Sequence, residues 1–458
     1  MTRVYINVSN PFIDNRMELL GSGILISGHR VRLLLVLISH YKSIDMKTQI
    51  ILRKVHYAFS AFLCTACLVS CNDWLKPEPL SFYSPENTYV TKEGLEGALV
   101  SCRAMIRPEF IGNNSYACTE LMTSDVAVAG NIVAQTLKNF EIQLKPGAYG
   151  DSQIGTFWSK GYSAIQKANT IISRVQAADE ITENDKNTIL AEGYFHRSYW
   201  YYKLVNQFGD VPFIDKEVTT PKLDFYSHTR SSILKRLRED MMFATRYLPE
   251  SAPHGAVSKA AGNHLLAKIC LACCDFDGAV AATTAVIDHS QHKLMEKRFG
   301  VNISDAQYNI ISDLFNRENI NSSENLEGIF LVEDKRLTEG GTSTGSYRMR
   351  DLVPCWWNAN TNNDPDGKRG TMDKAAGQPQ IGQVGRGIGR IRTTNYFNYE
   401  IWDSKEDYRH TAPNWLNMED MVYNNPASKY YGQPLQKKYC VDTIYALESD
   451  DALQDFCT

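Results

Sequence analysis

Ala191-Glu192-Gly193-Tyr194-Phe195-His196-Arg197-Ser198-Tyr199-Trp200-Tyr201-Tyr202, running on to Phe208-Gly209-Asp210-Val211-Pro212, is the stretch whose periodicity decides the fold. Phe195, Tyr199, Tyr202 and Val205 recur at helical spacing and predict one apolar stripe on a helix from Asn187 to Gln207, with Phe208-Gly209 as its stop. Aromatic side chains three and four residues apart interlock with neighbouring helices, so these rings read as core, with Tyr199 fully buried. Glu192 and Arg197 read as a structural ion pair. The segment is packing rather than a ligand site.

The same period continues on both sides. Upstream, Leu95, Leu99, Cys102 and Ile106 form a stripe from Thr91, and Trp158, Ile165, Ala168, Ile172 and Val175 form another from Gly155. Downstream, Ile233, Leu237, Met241, Ala244 and Leu248 follow from Ser231 and are closed by Pro249. Residues 257–289 read as a helix pair. Ala261, Leu265 and Ile269 line the first helix and Phe276, Ala279, Val280, Val286 and Ile287 the second, with a turn at Cys274-Asp275. Paired helices with small residues at the crossing resemble tetratricopeptide units, which must stack to bury their faces, although no clean period of about 34 residues is present.

Near Ser290 the character of the chain changes. It becomes rich in Asn, Gly, Asp and aromatics, and short strand-like runs such as Gly328-Ile329-Phe330-Leu331-Val332 alternate with long loops. The expected fold is mostly α. Helical pairs occupy 71–289, and a loop-rich half with short strands occupies 290–458.

Read from Met46, the N-terminus is an export signal. Lys47, Arg53 and Lys54 form a basic start, and Tyr57 to Val69 make an apolar run too short to span a bilayer. It ends in Leu68-Val69-Ser70-Cys71, which resembles the lipobox of bacterial lipoproteins. The thiol of Cys71 would then carry the lipid and become the first mature residue. Residues 46–70 are thus the signal peptide, and 1–45 an over-extended start. Prolines 77 and 79 hold a short extended tether after the anchor.

A formal net charge of −4 over 458 residues argues against nucleic acid, whose phosphates want a basic face. The 24 Tyr and 7 Trp leave rings over for a stacking surface. Cys270, Cys273 and Cys274 lie in a helical pattern with no second Cys or His pair at zinc spacing, and read as helix-buried thiols. Gly341-Thr342-Ser343-Thr344-Gly345 has the GxSxG spacing but polar loop flanks, so it reads as loop. Gly385-Arg386-Gly387-Ile388-Gly389 lacks the lysine and preceding strand of a phosphate loop. His289 and His292 read as surface residues.

Two constellations stand out. Trp356-Trp357-Asn358 places adjacent indoles in a polar loop, where a sugar's apolar C–H face would stack on a ring and Asn would meet its hydroxyls. The alternative, both rings packed on the helical body, stays open. Asn362, Asp364 and Asp366, with Gly367 and then Asp373 at position 12, approximate a Ca2+ loop that ends in Asp instead of the bidentate Glu. No other cofactor is expected. A hydrolase would need two carboxylates about 5–10 Å apart, one with a raised pKa. Asp351, Asp364, Glu400 and Asp403 are available, but none stands in a recognisable catalytic frame.

Several of these segments in order resemble the SusD/RagB family of nutrient-binding outer-membrane lipoproteins. They are Cys71-Asn72-Asp73-Trp74-Leu75, Trp158-Ser159-Lys160-Gly161-Tyr162 with Ala168-Asn169, the Ala191–Tyr202 helix with Phe208–Pro212, Asp240 to Pro249, Lys259 to Ala279, and Gly328-Ile329-Phe330. The resemblance runs from about Cys71 to about Trp415. It implies a non-enzymatic, surface-exposed protein, lipid-anchored in the outer membrane, that binds an oligosaccharide or other nutrient. It also implies delivery to a SusC-like TonB-dependent transporter, with 290–458 as the ligand-facing half. A surface glycoside hydrolase and a helical-repeat scaffold for proteins are the competing classes. One departure is that no terminal helical pair follows Tyr439, and Leu447 to Ala452 looks unlike the family's continuation, so the last region reads as incomplete.

Overall fold

The computed structural model divides into two units, Met1–Phe82 and Tyr83–Thr458. Residues 50–51 and 54–57 of the first unit are described, and they are helical. The second unit is described over 88–110, 120–121, 123–129, 153–179, 181–253, 255–334, 338–341, 363–371, 391–415 and 421–436. Among the described residues no helix is long and apolar enough to cross a membrane.

The second unit is built on α1 (Lys92–Phe110), α2 (Gln153–Arg174), α3 (Glu183–Phe208), α4 (Arg230–Tyr247), α5 (Lys259–Ala272) and α6 (Phe276–Ile287), with a short α7 (Ile310–Phe315) beyond them. Each helix from α3 to α6 begins on a side chain that accepts the amide of its first turn. These caps are Thr182 for Asp185, Thr229 for Ser232, Ser258 for Ala261 and Asp275 for Gly278. α2 packs on α3, α3 on α4, α4 on α5 and α5 on α6, while α1 leans on α2 and α3. This is the stacked, tetratricopeptide-like helical architecture that the periodicity predicts, mostly α. The strands are short: β1 (Ala127–Ala129) pairs antiparallel with β4 (Ile391–Thr393), and β2 (Val211–Pro212) with β3 (Ser227–His228).

The stripes on α1 and α4 hold residue for residue, since Leu95, Leu99, Cys102, Ile106, Ile233, Leu237, Met241 and Ala244 are all buried. Helix α3 departs from its expected stripe. It lies between α2, α4 and α1, so it is buried nearly all round. Trp200, Tyr201, Leu204 and Val205 are among its fully buried residues, whereas Tyr199 and Tyr202 are only half-buried at its margin. Similarly Phe157, not Trp158, is the buried ring of α2.

Glu192 and Arg197 do not pair with each other. Five residues apart on a helix of 3.6 residues per turn, they point about 140° apart. Glu192 receives Arg103 of α1 through two hydrogen bonds of 2.6 and 2.8 Å. Arg197 reaches Asp240 of α4 at 2.5 Å. On α6 the small residues Ala279 and Ala282 face α5, which leaves Phe276, Val280 and Ile287 exposed instead of lining the pair. The turn falls at Cys274-Asp275 as expected, with Cys274 in the left-handed region at φ 58. Cys270 is buried there, but Cys274 is exposed, so the thiols are not buried as a set. The run Gly328–Val332 is not a strand. Its Ile329, Phe330 and Val332 pack on the helical core, Phe330 lying 5.7 Å from Phe195 between ring centroids.

Candidate functional site

Of the sequence-predicted site residues, Cys71, Trp356, Trp357, Asn358, Asn362 and Asp373 lie outside the described residues, as does Asp351. Asp364 and Asp366 are described, in a turn closed by the bridge between Asn363 and Arg369. The buried Asp364 carboxylate accepts from the Ser428 hydroxyl at 2.5 Å and from the amides of Asp366 and Lys368, each at 3.0 Å. Burial pushes its pKa up, but these donors more than offset that and hold it below the usual carboxylate range. Asp366 pairs with the Lys429 ammonium at 2.8 Å and accepts from Tyr430 at 3.2 Å. Both carboxylates thus face hydrogen-bond donors, and no group of three or more metal-capable side chains occurs among the described residues.

The structure brings together a second constellation in the same half, one that the sequence did not single out. Residues 391–394 are pinned to 125–129 by the β1–β4 ladder and by Thr394, whose amide donates to Val126 and whose hydroxyl donates to Asp125. From that anchor the chain turns through one π-helical turn, Tyr396–Glu400, a local geometry that recurs at functional sites. Phe397, Trp402, His410 and Trp415 then pile together. The His410 ring stacks on Trp402 at 4.5 Å and 16°, and lies 4.3 Å from Trp415. Trp402 and Trp415 are 5.8 Å apart, and Phe397 sits 5.6 Å from Trp402.

Polar bonds fix the pile. The Trp402 indole donates to the Phe397 carbonyl at 2.7 Å, and His410 Nε2 lies 3.0 Å from the Asn398 carbonyl. The Asn414 amide donates to the Tyr408 carbonyl at 2.7 Å and to Asn309 at 2.8 Å, while Ser312 donates to Asn414 at 2.9 Å. Those last two bonds tie the cluster to the start of α7.

Around this half-buried floor stand exposed rings, namely Tyr396, Tyr399 and Tyr408. Arg409 lies 5.6 Å over the Trp402 ring and grips Asp407 through paired bonds as short as 2.6 Å. That grip holds the Asp407 carboxyl down to about 2, the reverse of what a general acid requires. Asp240 is a carboxyl pushed upward, but it is buried beneath the helices, where burial outweighs Arg197 and Arg236. Rigid rings beside a fixed guanidinium–carboxylate fork suit a polyhydroxylated ligand, with C–H faces on rings and hydroxyls on ions. Residues 396–415 were missed because their ring spacing has no period; the loop density of Trp, Tyr and His was the available signal.

Residues 96–271 match the SusD-like family model described as "Starch-binding associating with outer membrane". SusD-like protein P2 of Formosa agariphila is 29% identical over 243 residues, covering 52% of this chain and 47% of that protein. SusD-like protein P25 of the same organism is 24% identical over 301 residues, 64% and 53% respectively. The matches therefore span about half the length of these curated relatives. Among solved structures, surface glycan-binding protein A of Bacteroides thetaiotaomicron, in complex with laminarihexaose, aligns at a TM-score of 0.49 and 17% identity over 68% of this chain and 61% of that one. Most of the helical core falls within this match, so over residues 96–271 the chain is similar to the SusD-like family.

Proposed function

We propose that this chain is a cell-surface glycan-binding lipoprotein, anchored in the outer membrane through Cys71, that hands oligosaccharide to a SusC-like TonB-dependent transporter. The observation that carries the binding role is the pinned aromatic pile of Phe397, Trp402, His410 and Trp415, with Tyr396, Tyr399 and Tyr408 exposed around it. The matching family model supports the ligand class, since it is described as starch-binding. Binding rather than hydrolysis fits the carboxylates, because Asp407 is held down by Arg409 and Asp240 is enclosed by the core. Trp356 and Trp357 are proposed as further stacking rings of the ligand-facing half.

The test is a glycan-array screen of the protein from Asn72 onward, followed by calorimetric titration with laminarihexaose and maltohexaose. Losing a stacking ring costs about 1–3 kcal/mol on the scale of base stacking, so Trp402→Ala weakens binding by roughly 5- to 150-fold. A wild type that binds no glycan on the array removes the proposal. A Trp402→Ala variant that binds as wild type moves the site elsewhere. Release of new reducing ends from a bound polysaccharide would instead establish the hydrolase reading.

A further inference from the structure

Beyond Gly209 the chain enters β2, and β2 pairs with β3 only after an excursion over residues 213–226 that has no regular structure. Its first half is fixed more firmly than loops usually are. The Tyr162 hydroxyl donates to the Pro212 carbonyl at 2.8 Å, Asn169 to Ile214 at 2.7 Å, Arg197 to Asp215 at 2.9 Å and Gln166 to Val218 at 3.1 Å. The Ile214 amide donates to the Tyr201 hydroxyl at 2.6 Å, and the Glu217 amide to Ser173 at 3.0 Å. Asn169, Arg197 and Tyr201 are at most 1% exposed. The helical core has therefore buried polar groups whose partners are the backbone of a surface loop. Such burial is costly unless those bonds are made, so the loop is ordered by folding and not by a ligand.

The second half is the opposite. Leu223 is 99% exposed, Tyr226 77% and Phe225 41%, on a backbone held at both ends by a core-fixed segment and by β3. Between the halves lies a cavity of about 320 Å3, with Phe213 and Ile214 among its lining and Thr219, Thr220, Lys222 and Phe225 around it. The Lys222 ammonium lies 5.5 Å from the Phe225 ring centroid. The loop carries two cations, Lys216 and Lys222, against three anions, Asp215, Glu217 and Asp224, and Arg174 pairs with Glu217 at 2.7 Å, so little net charge remains and a strongly ionic ligand is not favoured. The volume is at the small end of the roughly 300–1,000 Å3 typical of ligand sites and suits a ring or two, not a long chain.

We propose that the 213–226 loop is a second glycan subsite, apart in sequence from the 396–415 cluster, that takes one or two neutral sugar rings of an oligosaccharide. Tyr226 and Phe225 supply the stacking faces, while Thr219, Thr220 and Lys222 meet hydroxyls. This rests on the glycan-binding reading above. Two weak subsites on one protein gain on a polymer by effective concentration, which a single short oligosaccharide does not exploit.

The experiment is affinity electrophoresis of the full chain in gels containing laminarin or starch, with thermal melts of every variant. The variants are Phe225→Ala, Tyr226→Ala, the double Phe225→Ala/Tyr226→Ala, Thr220→Val and Trp402→Ala. The double and Thr220→Val are expected to weaken retardation about 3- to 10-fold with unchanged melting, and adding Trp402→Ala to the double abolishes it. If the 225/226 double is retarded as wild type while Trp402→Ala is not, the second subsite is refuted and the glycan-binding reading stands. If the double loses retardation and Trp402→Ala does not, the loop is the site and the 396–415 assignment fails. A double variant that changes only self-association in light scattering makes the loop a protein contact and overturns the proposal.

Discussion

Arg197→Met tests the core of the fold and the loop it supports. The guanidinium is 1% exposed; it bonds Asp240 at 2.5 Å and the Asp215 carbonyl at 2.9 Å, and lies 4.9 Å over the Tyr194 ring. Methionine keeps most of the packing volume but leaves Asp240, 4% exposed, with Arg236 at 3.1 Å as its remaining guanidinium. Removing one partner of a buried pair costs about 3–5 kcal/mol, because the other charge stays desolvated. At about 2–4 °C per kcal/mol for a body of 150–250 residues, the melting temperature falls by roughly 6–20 °C.

The cause is separable from lost packing. Burial already pushes the Asp240 carboxyl upward against both guanidiniums, so its charge is a burden the fold carries at neutral pH. The sign follows. A carboxyl with a raised folded pKa favours the folded state in acid, and that contribution is lost as pH rises through the folded value. Arg197→Met/Asp240→Leu therefore recovers part of the single variant's loss, since the exposed Asp215 segment can give its carbonyl to water while the buried Asn169 oxygen still loses its 3.2 Å bond from Arg197. Differential scanning calorimetry of wild type, single and double variants at pH 7 reads this directly. A double variant melting no higher than Arg197→Met would show that the unpaired charge is not the cause, and a single variant within 2 °C of wild type would refute the magnitude.

Glu192 behaves in the opposite sense. Burial raises its pKa, but Arg103 and His196 outweigh that and leave it lowered, so its contribution is present above the unfolded pKa and lost as pH falls through the folded one. The urea midpoint should drop on acidification from pH 5 to below about 4, and Glu192→Gln should flatten that drop. In Gly262→Ala the new Cβ would stand 2.6 Å from Leu248, itself buried. Overpacking of about 1–3 kcal/mol then exceeds the 0.5–1 kcal/mol that alanine gains in a helix, so the denaturation midpoint shows a net loss of about 1 kcal/mol. Ile287→Ser, on the exposed face of α6, should shift stability by less than about 0.5 kcal/mol, and a loss above 2 kcal/mol would show that face to be covered. Metabolic labelling with a fatty-acid analogue should mark the wild type but not Cys71→Ala, and label persisting in the variant removes the anchor.

What the sequence determined by itself is the helical body, because a 3.6-residue period survives any arrangement of neighbours. Leu95, Leu99, Cys102 and Ile106, like Ile233, Leu237, Met241 and Ala244, had to share a face, and they are buried. The order of the family motifs was legible for the same reason, being local. What surrounds each face was decided only by tertiary structure. Helix α3 became central, so Trp200 and Tyr201 outrank Tyr199 in burial, and Glu192 and Arg197 found separate partners on α1 and α4. Small Ala279 and Ala282 took the contact face of α6 and turned Phe276, Val280 and Ile287 outward. The aromatic pile at 396–415 and the core-clamped loop at 213–226 depend on contacts across tens to hundreds of residues, such as Asn414 to Asn309 and Thr394 to Asp125. No local period encodes such pairings, because they are set where irregular backbone meets a rigid body that must satisfy its buried polar groups.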